Sequence, residues 1–598
     1  MCGISGIISL QNITAKAINA SLQSIKHRGP DDSLIFEGKQ FFSTDFSDTY
    51  SIQNHPNIAK SNLSNSWFGF NRLSIVDVSP AAMQPFYDTD NHIVFMMNGE
   101  VYNYQTLRKK YLTNIHFNSN SDSEVAFKLY QKLGNDFVQH LQGMFTIVIY
   151  HLKEKKLKVW RDRLGIKPFY YTFHQGNFIF SSEMKGIFAT ELISKQIDYQ
   201  GLAYSMYLAT CPSPKTIYQH IQSLQAAHYL EFSVETQQIN IKPYWKLQYF
   251  PAEKSIQKLE FQKDIQTLCE RYKTGDVEKA LMLSGGIDSG TLAYYFGKIF
   301  PDIKAIHISD LQQTETQFAQ LNAENANVNF VNFTIEKPTK EEILHYLTSE
   351  EEPNTSPEPA YFLSEKAQKL GVKVLYNALG PDEIFGGYEY FQKLQKWKFI
   401  QPILSIIPSF IIPKKHQSKF KELQQFGFAF YPMFSRRLFS WEEICQFLKE
   451  HNQEIPLHPL AYISQQINEL YPEFNKLPIL KKVSFIDIFY YISSHHSFRS
   501  DQPSMKFGIE MRFPFLEHTF VEKYFNQTQL FNNINQKLKP FFRENISDIL
   551  PSNVLNMSKK GFQIPVQEWL EVYDNSVKLS YFEAMRKWYK LSCKKLFL

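Results

Sequence analysis

Residues 281–290, Leu-Met-Leu-Ser-Gly-Gly-Ile-Asp-Ser-Gly, constrain the chain more than any other stretch. The apolar run 280–283 predicts a short buried strand, Gly285 and Gly286 permit a tight turn, and the periodicity of 290–300 predicts a helix behind it. Strand, glycine turn and helix in that order make an anion cradle. The first N–H groups of a helix lack partners within it, and its peptide dipoles sum to partial positive charge there, which suits a phosphate or pyrophosphate. Glycine lets such a ligand come close to the backbone. Ser284 and Ser289 flank the turn, and Asp288 can hold a metal. The spacing matches neither G-x-x-x-x-G-K-[ST] nor G-x-G-x-x-G, so neither a common ATPase loop nor a dinucleotide fold is indicated. Ordinary strands also end in Ser-Gly-Gly turns, so the rest of the chain has to decide between the two.

Ser284-Gly285-Gly286-Ile287-Asp288-Ser289 resembles the pyrophosphate loop of the ATP-pyrophosphatase family, whose members split ATP into AMP and pyrophosphate while adenylating a substrate. The remaining residues limit what surrounds it. A chain of 598 residues is too long for one core, and two to four domains are expected. An apolar share of 43% with 15% aromatics fills globular cores and argues against disorder. Sixty-four basic and 59 acidic residues are spread along the chain, leaving +5 and no case for nucleic acid. The five cysteines, at 2, 211, 269, 445 and 593, lack paired spacing, so neither a disulfide framework nor a zinc site is expected, and a reducing cytoplasm fits best. The amino end has no basic region before its apolar stretch, which Asn12 ends, and no secretory signal is expected. Residues 399–412 contain Pro402 and Pro408 and are too short to span a bilayer, so no membrane insertion is expected.

At the amino end, removal of Met1 would leave Cys2 with its thiol beside a free α-amine. An amine titrating near ~8 can take the proton of a thiol titrating near ~8.5, so one residue supplies nucleophile and base. Lys26-His27-Arg28-Gly29-Pro30-Asp31-Asp32, Arg72-Leu73-Ser74-Ile75-Val76-Asp77, Asn98-Gly99-Glu100-Val101-Tyr102-Asn103 and Ser121-Asp122-Ser123-Glu124 follow. In that order they resemble the class II glutamine amidotransferase domain. The resemblance implies that Cys2 attacks the glutamine amide and that the Asn98 side chain and Gly99 N–H receive the oxyanion. It also implies that Arg72 pairs with the glutamine carboxylate, that Asp122 holds its ammonium, and that Leu73, Ser74, Ile75, Val76 and Glu100 complete the pocket. A surface ion pair is the ordinary fate of an arginine and an aspartate such as Arg72 and Asp122. The family fold implied is an antiparallel αββα sandwich of the N-terminal-nucleophile type, placed here at 1–210. The segment 211–245, with Pro212, Pro214 and Pro243, is expected as a connecting region.

Residues 246–598 are expected to form an α/β parallel-sheet domain with a helical extension. Residues 303–308 predict a further strand, with Ile308 near the adenine by analogy, and 372–377 another apolar run. The run leads into Ala378-Leu379-Gly380-Pro381-Asp382-Glu383-Ile384-Phe385-Gly386-Gly387-Tyr388, which resembles the S-G-E-G-x-D-E-[LIV]-F-G-G-Y segment of glutamine-hydrolysing asparagine synthetases. The resemblance implies that Asp288 and Asp382 bind Mg2+, a hard cation that bridges phosphate oxygens, and that Leu283, Ser284, Gly285, Gly286, Asp288, Ser289, Ile308, Asn377 and Ala378 bind ATP. Residues 504–517 and 559–565 also match, and Lys559, with Lys560 as the near alternative, would neutralise charge on the reacting phosphorus. One departure matters. Leu379 stands where the family has the glutamate associated with forming β-aspartyl-adenylate, and leucine can neither accept a hydrogen bond nor carry charge. Glu350, Glu351, Glu352 and Glu358, upstream in an acidic loop, are candidate substitutes.

The expected activity is therefore an ATP-consuming amide synthetase: glutamine supplies ammonia, and a carboxylate acceptor is activated as an acyl-adenylate. Aspartate is the family default. A carboxylate on a sugar or specialised metabolite is the alternative that Leu379 raises. A regulatory protein without synthetase chemistry, and a sugar-phosphate or phosphoribosyl aminating enzyme, are the other readings; the second conflicts with the pyrophosphate loop. Ammonia would travel inside the protein, because bulk water would protonate it. A homodimer is left open.

Overall fold

The computed structural model describes residues 2–309, 315–399, 401–404, 406–557, 564–574 and 579–597. Its amino-terminal part is built on two antiparallel sheets. In the first, Gly3–Ile13 lies centrally between Ser64–Arg72 and Asn177–Ser181, and Tyr170–His174, Gln222–Ser223, Asp32–Phe36 and Phe41–Ser43 widen it to seven strands. In the second, Ile93–Val101 pairs with Gly143–His151 and that with Lys156–Arg161, within six strands. Alternation along each strand builds the layers, because successive side chains leave opposite faces. Ile4 and Ile8 meet Val94 and Met96 in the core between the sheets. Ile7 turns outward to Ile18 and Leu22 of helix Ala15–Ser24, while Phe95 and Met97 turn outward to Val125 and Leu129 of helix Asp122–Leu133. The result is the expected αββα order.

The 211–245 stretch contributes strands to both sheets. Gln222–Ser223 borders the first, and His228–Ser233 pairs with Lys156–Arg161 in the second, followed by Gln238–Pro243. Leu230 and Phe232 enter the inter-sheet core while Tyr229 packs on the other face. The sequence reading weighted the prolines above this short period-two run.

The second sheet system has five parallel strands in the spatial order Asn329–Thr334, Lys304–Ser309, Lys279–Met282, Val374–Tyr376 and Glu510–Arg512. The chain moves outward in one direction from Lys279–Met282, then returns to its other side for Val374–Tyr376. That reversal opens a crevice at the carboxyl ends of the two central strands, the place where open α/β sheets bind ligands. The loops at 283–286 and 377–380 leave the strands there. Among the described residues the carboxyl-terminal part from Glu389 onward is mostly helical, as its pattern predicts, with Glu510–Arg512 a strand at the sheet edge. Among the described residues no helix is long and apolar enough to cross a membrane.

The two parts share one core. Leu73, Ile75, Val76, Tyr102, Met144 and Ile166 of the first pack in the same apolar cluster as Leu281, Leu283 and Tyr376 of the second. Tyr102 and Tyr272 stack across the join at 3.9 Å.

Candidate functional site: two linked centres

Cys2 is 8% exposed and enters a small cavity lined also by Arg72, Leu73, Ser74, Ile75, Val76, Gly99, Glu100, Asp122 and Glu510. Its N–H donates to Asn98 Oδ1 at 2.9 Å, and its thiol lies 3.9 Å from the Leu73 carbonyl. Burial pushes the thiol above its ordinary value. Asn98 sits on Ile93–Val101, where the strand turns its side chain inward; it is fully buried, and Nδ2 has no partner among the described residues. A buried amide donor left unpaired costs free energy unless something accepts from it. An oxyanion formed at a carbonyl attacked by Cys2 can do so. The neighbouring Gly99 takes φ +147°, and a Cβ there would lie 2.1 Å from the Met144 carbonyl oxygen, so the strand passes only because the residue is glycine.

Charged groups ring the remainder of the cavity. Arg72 donates to the carbonyls of Ser79 at 2.7 Å and Asp77 at 2.5 Å, which fixes its fork at the cavity wall. Ser74 N–H donates to Asp31 Oδ2 at 2.7 Å, and Ile75 carbonyl accepts from Asp276 of the second part at 2.8 Å, anchoring the 73–76 loop at both ends. Asp122 accepts from Val101 N–H at 2.7 Å; burial, joined by Glu510, raises it to about 6. Burial also raises Glu100 well above the carboxylate range, although Arg512 stands 3.3 Å away. Glu510 was not singled out from sequence as a site residue. Burial opposes its charge, but the positive groups about it, Arg512 at 2.7 Å and Lys167 among them, hold it down at about 2. Its signal was present: Glu510 and Arg512 are two charges on one face of an edge strand in an otherwise apolar stretch.

The second centre lies at the crevice. Helix Ile287–Ile299 starts after Gly286, and the preceding turn is tied down by Ser284 and Ser289 hydroxyls 2.9 Å apart and by Asn322 Nδ2, which donates to the Ser284 and Gly286 carbonyls at 3.2 Å each. Gly285 lies on the loop, Leu283 N–H donates to Ile306, and Ile308 is buried at the end of the adjoining strand. Across the crevice Asn377 accepts from Leu379 N–H at 3.0 Å, with Ala378 between them. Asp288 and Asp382 converge on one cation, the Lys539 ammonium, which contacts Asp288 and lies 2.7 Å from Asp382. Burial works against the Lys539 charge, but the two carboxylates raise it above its ordinary value. Gly387 backs directly on Asp382: a Cβ there would fall 1.7 Å from Oδ1. Lys539 was missed from sequence; its one signal is a lysine placed immediately before helix-starting Pro540. Lys559 and Lys560 lie outside the described residues.

Two hard carboxylates that already face a common cation fit Mg2+, with phosphate oxygens to complete its shell. Leu379 is half-buried against the apolar core. The acidic loop is engaged elsewhere: Glu350 meets Lys506 at 3.2 Å, Glu351 accepts from the backbone of Met184 and Lys185, and Glu358 lies 3.8 Å from Arg499. Burial raises Glu351, Glu352 and Glu358 each to about 7.

The family models match both halves. A glutamine amidotransferase domain covers 57–245, and an asparagine synthase domain covers 265–579, more than half of the chain. The chain belongs to the asparagine synthase family. It is thus an enzyme of the glutamine-dependent ligase type. Asparagine synthetase [glutamine-hydrolyzing] 1 of Bacillus subtilis is 26% identical over 597 residues, 96% of this chain and 88% of that one. Asparagine synthetase B [glutamine-hydrolyzing] of Escherichia coli is 27% identical over 425 residues, 66% of each. Amidase chry2 of Gibberella zeae is 25% identical over 639 residues, 95% of this chain and 90% of that one.

Proposed function

We propose that this member of the asparagine synthase family makes an amide from a carboxylate, with nitrogen from glutamine and energy from ATP. Cys2, exposed as the first residue once Met1 is removed, attacks the glutamine amide. Asn98 Nδ2 and Gly99 N–H receive the oxyanion, Arg72 takes the substrate carboxylate, Asp122 takes its ammonium, and Glu100 completes the pocket. Collapse of that intermediate breaks the C–N bond, which frees ammonia and leaves a thioester on Cys2; water then hydrolyses the thioester to glutamate and returns the thiol. The glutaminase unit is placed at 1–210, and the 211–245 stretch that follows adds strands to both of its sheets.

At the crevice the 283–289 loop, Ile308, Asn377 and Ala378 hold ATP, and Asp288 and Asp382 would hold Mg2+, which when bound neutralises phosphate charge. Lys539 sits where it can exchange one carboxylate partner for phosphate as the nucleotide enters. Lys559 is the second basic group proposed to act on the phosphates. Ammonia displaces AMP from the acyl-adenylate. The observation that carries this reading is the convergence of Asp288 and Asp382 on one cation beside the Ser-Gly-Gly turn, in a core shared with the Cys2 unit. Aspartate is the first acceptor to supply. Leu379 favours a second reading, in which the acceptor is another carboxylate, since a leucine at the position of the family glutamate can neither accept a hydrogen bond nor carry charge. Changing Cys2 to alanine tests the two-centre arrangement. Glutamine-driven synthesis should fall by ~10³-fold or more while ammonium-driven synthesis persists, and loss of both would refute it.

A further inference from the structure

Cys2 is held at both ends of its peptide unit. Its N–H goes to Asn98, and its carbonyl accepts from Arg28 Nε at 3.3 Å. Arg28 is fully buried in the short turn Lys26–Arg28 and uses each remaining guanidinium nitrogen on a carboxylate. Nη1 donates to Glu183 at 2.9 Å, within the glutaminase unit, whereas Nη2 donates to Asp501 at 2.8 Å, on helix Ser497–Met505 of the synthetase unit. Glu183 is shared further, with His27 at 3.1 Å and Lys185 at 2.8 Å. The Asp501 side chain is 4% exposed; its other oxygen lies 3.5 Å from buried Lys167, and its own carbonyl accepts from Ser504 at 3.0 Å. A guanidinium is a planar fork, so its Nε cannot keep a carbonyl while Nη2 turns to follow a displaced partner. Where Asp501 stands therefore decides where Arg28 Nε points.

We propose that Asp501, a synthetase-side residue, is a positioning residue for the glutaminase nucleophile, acting through Arg28 on the Cys2 carbonyl. The inference rests on the glutaminase reading above. Asp501 touches neither glutamine nor the thiol. It aims the residue that carries the thiol, so its loss should appear in turnover and leave substrate affinity in place. The helix that bears it is also engaged on its acceptor side: Arg499, two residues earlier, donates to the Pro353 carbonyl at 2.6 Å and faces Glu350 at 3.6 Å and Glu358 at 3.8 Å. The nucleophile thus takes its alignment from the same helix that braces the acidic loop.

The test uses the full chain and glutamate release from glutamine, with no acceptor needed. Asp501→Asn keeps the shape and removes the charge that holds the fork. It should lower kcat by roughly 10- to 100-fold, the scale of a misplaced reacting group, while KM for glutamine stays within about twofold. Inactivation of Cys2 by a glutamine-mimicking diazoketone should slow by the same factor. Asp501→Glu, which restores a carboxylate, should recover most of both rates, and thermal unfolding of the two variants shows whether each is folded. Unchanged kcat and labelling in Asp501→Asn, a rise confined to KM, or equal losses in both variants at an unchanged unfolding midpoint would overturn the inference. Absence of glutamate release from the wild-type chain would overturn the glutaminase reading together with it.

Discussion

Asn98 has one carboxamide with two assignments. Oδ1 accepts from Cys2 N–H, which leaves Nδ2 as a fully buried donor with no partner among the described residues. If the oxyanion is its partner, Asn98→Ala should lower kcat for glutamine hydrolysis by ~10²–10³-fold with little change in KM. A steady-state comparison with the wild type checks this, and a change in KM alone would speak against it. Asp122 gives a pH prediction. Burial raises its carboxyl to about 6, and on the proposed function it must be ionised to hold the glutamine ammonium, so protonation would weaken binding. The value of kcat/KM for glutamine should therefore fall as pH drops through about 6 in the free enzyme, and Asp122→Asn should be low throughout and lack that limb. Leu379 could be read only as a departure. It packs half-buried against the apolar core, a placement that no local spacing of residues encodes.

Among elements, the edge strand Glu510–Arg512 joins the two centres. It completes the parallel sheet, carries Glu510 into the Cys2 cavity and reaches Glu100 through Arg512. Three residues are too few for a periodic signal, which is why the sequence showed a matching motif there and the structure shows a strand. Strands Lys279–Met282 and Val374–Tyr376 are legible because apolar runs, 280–283 and 374–376, fill them, as in strands buried on both faces. His228–Ser233 was hidden behind prolines, although its alternation was present. Arg512 is fully buried between Glu510 and Glu100. Arg512→Met should strand both carboxylates and cost about 3–5 kcal/mol, read from denaturant unfolding followed in both halves. A loss under about 1 kcal/mol would mean the pair is relieved by other groups. The Gly387 turn yields a cleaner split. Gly387→Ala drives a methyl into Asp382 and should abolish ATP-dependent AMP formation while glutamate release continues.

The whole molecule brings a hydrolytic centre and a nucleotide crevice onto one core. The ordered motifs made both halves legible, because each depends on a few residues at fixed positions along a strand or turn. The join was not legible, since Arg28 with Asp501, and Glu100 with Arg512, are far apart in sequence and no local pattern relates them. Leu73, Ile75 and Val76 beside Cys2 pack in one apolar cluster with Leu281 and Leu283 beside the Ser-Gly-Gly turn. The central claim is therefore one of coupling. The direct measurement supplies amide-15N-labelled glutamine, magnesium-ATP and aspartate, with excess unlabelled ammonium, and follows glutamate, AMP and the amide product together. The account predicts AMP with pyrophosphate in step with glutamate, and label retained in the amide. Glutamate formed while ATP stays intact, with aspartate and with a panel of other small dicarboxylates and sugar acids, would contradict it.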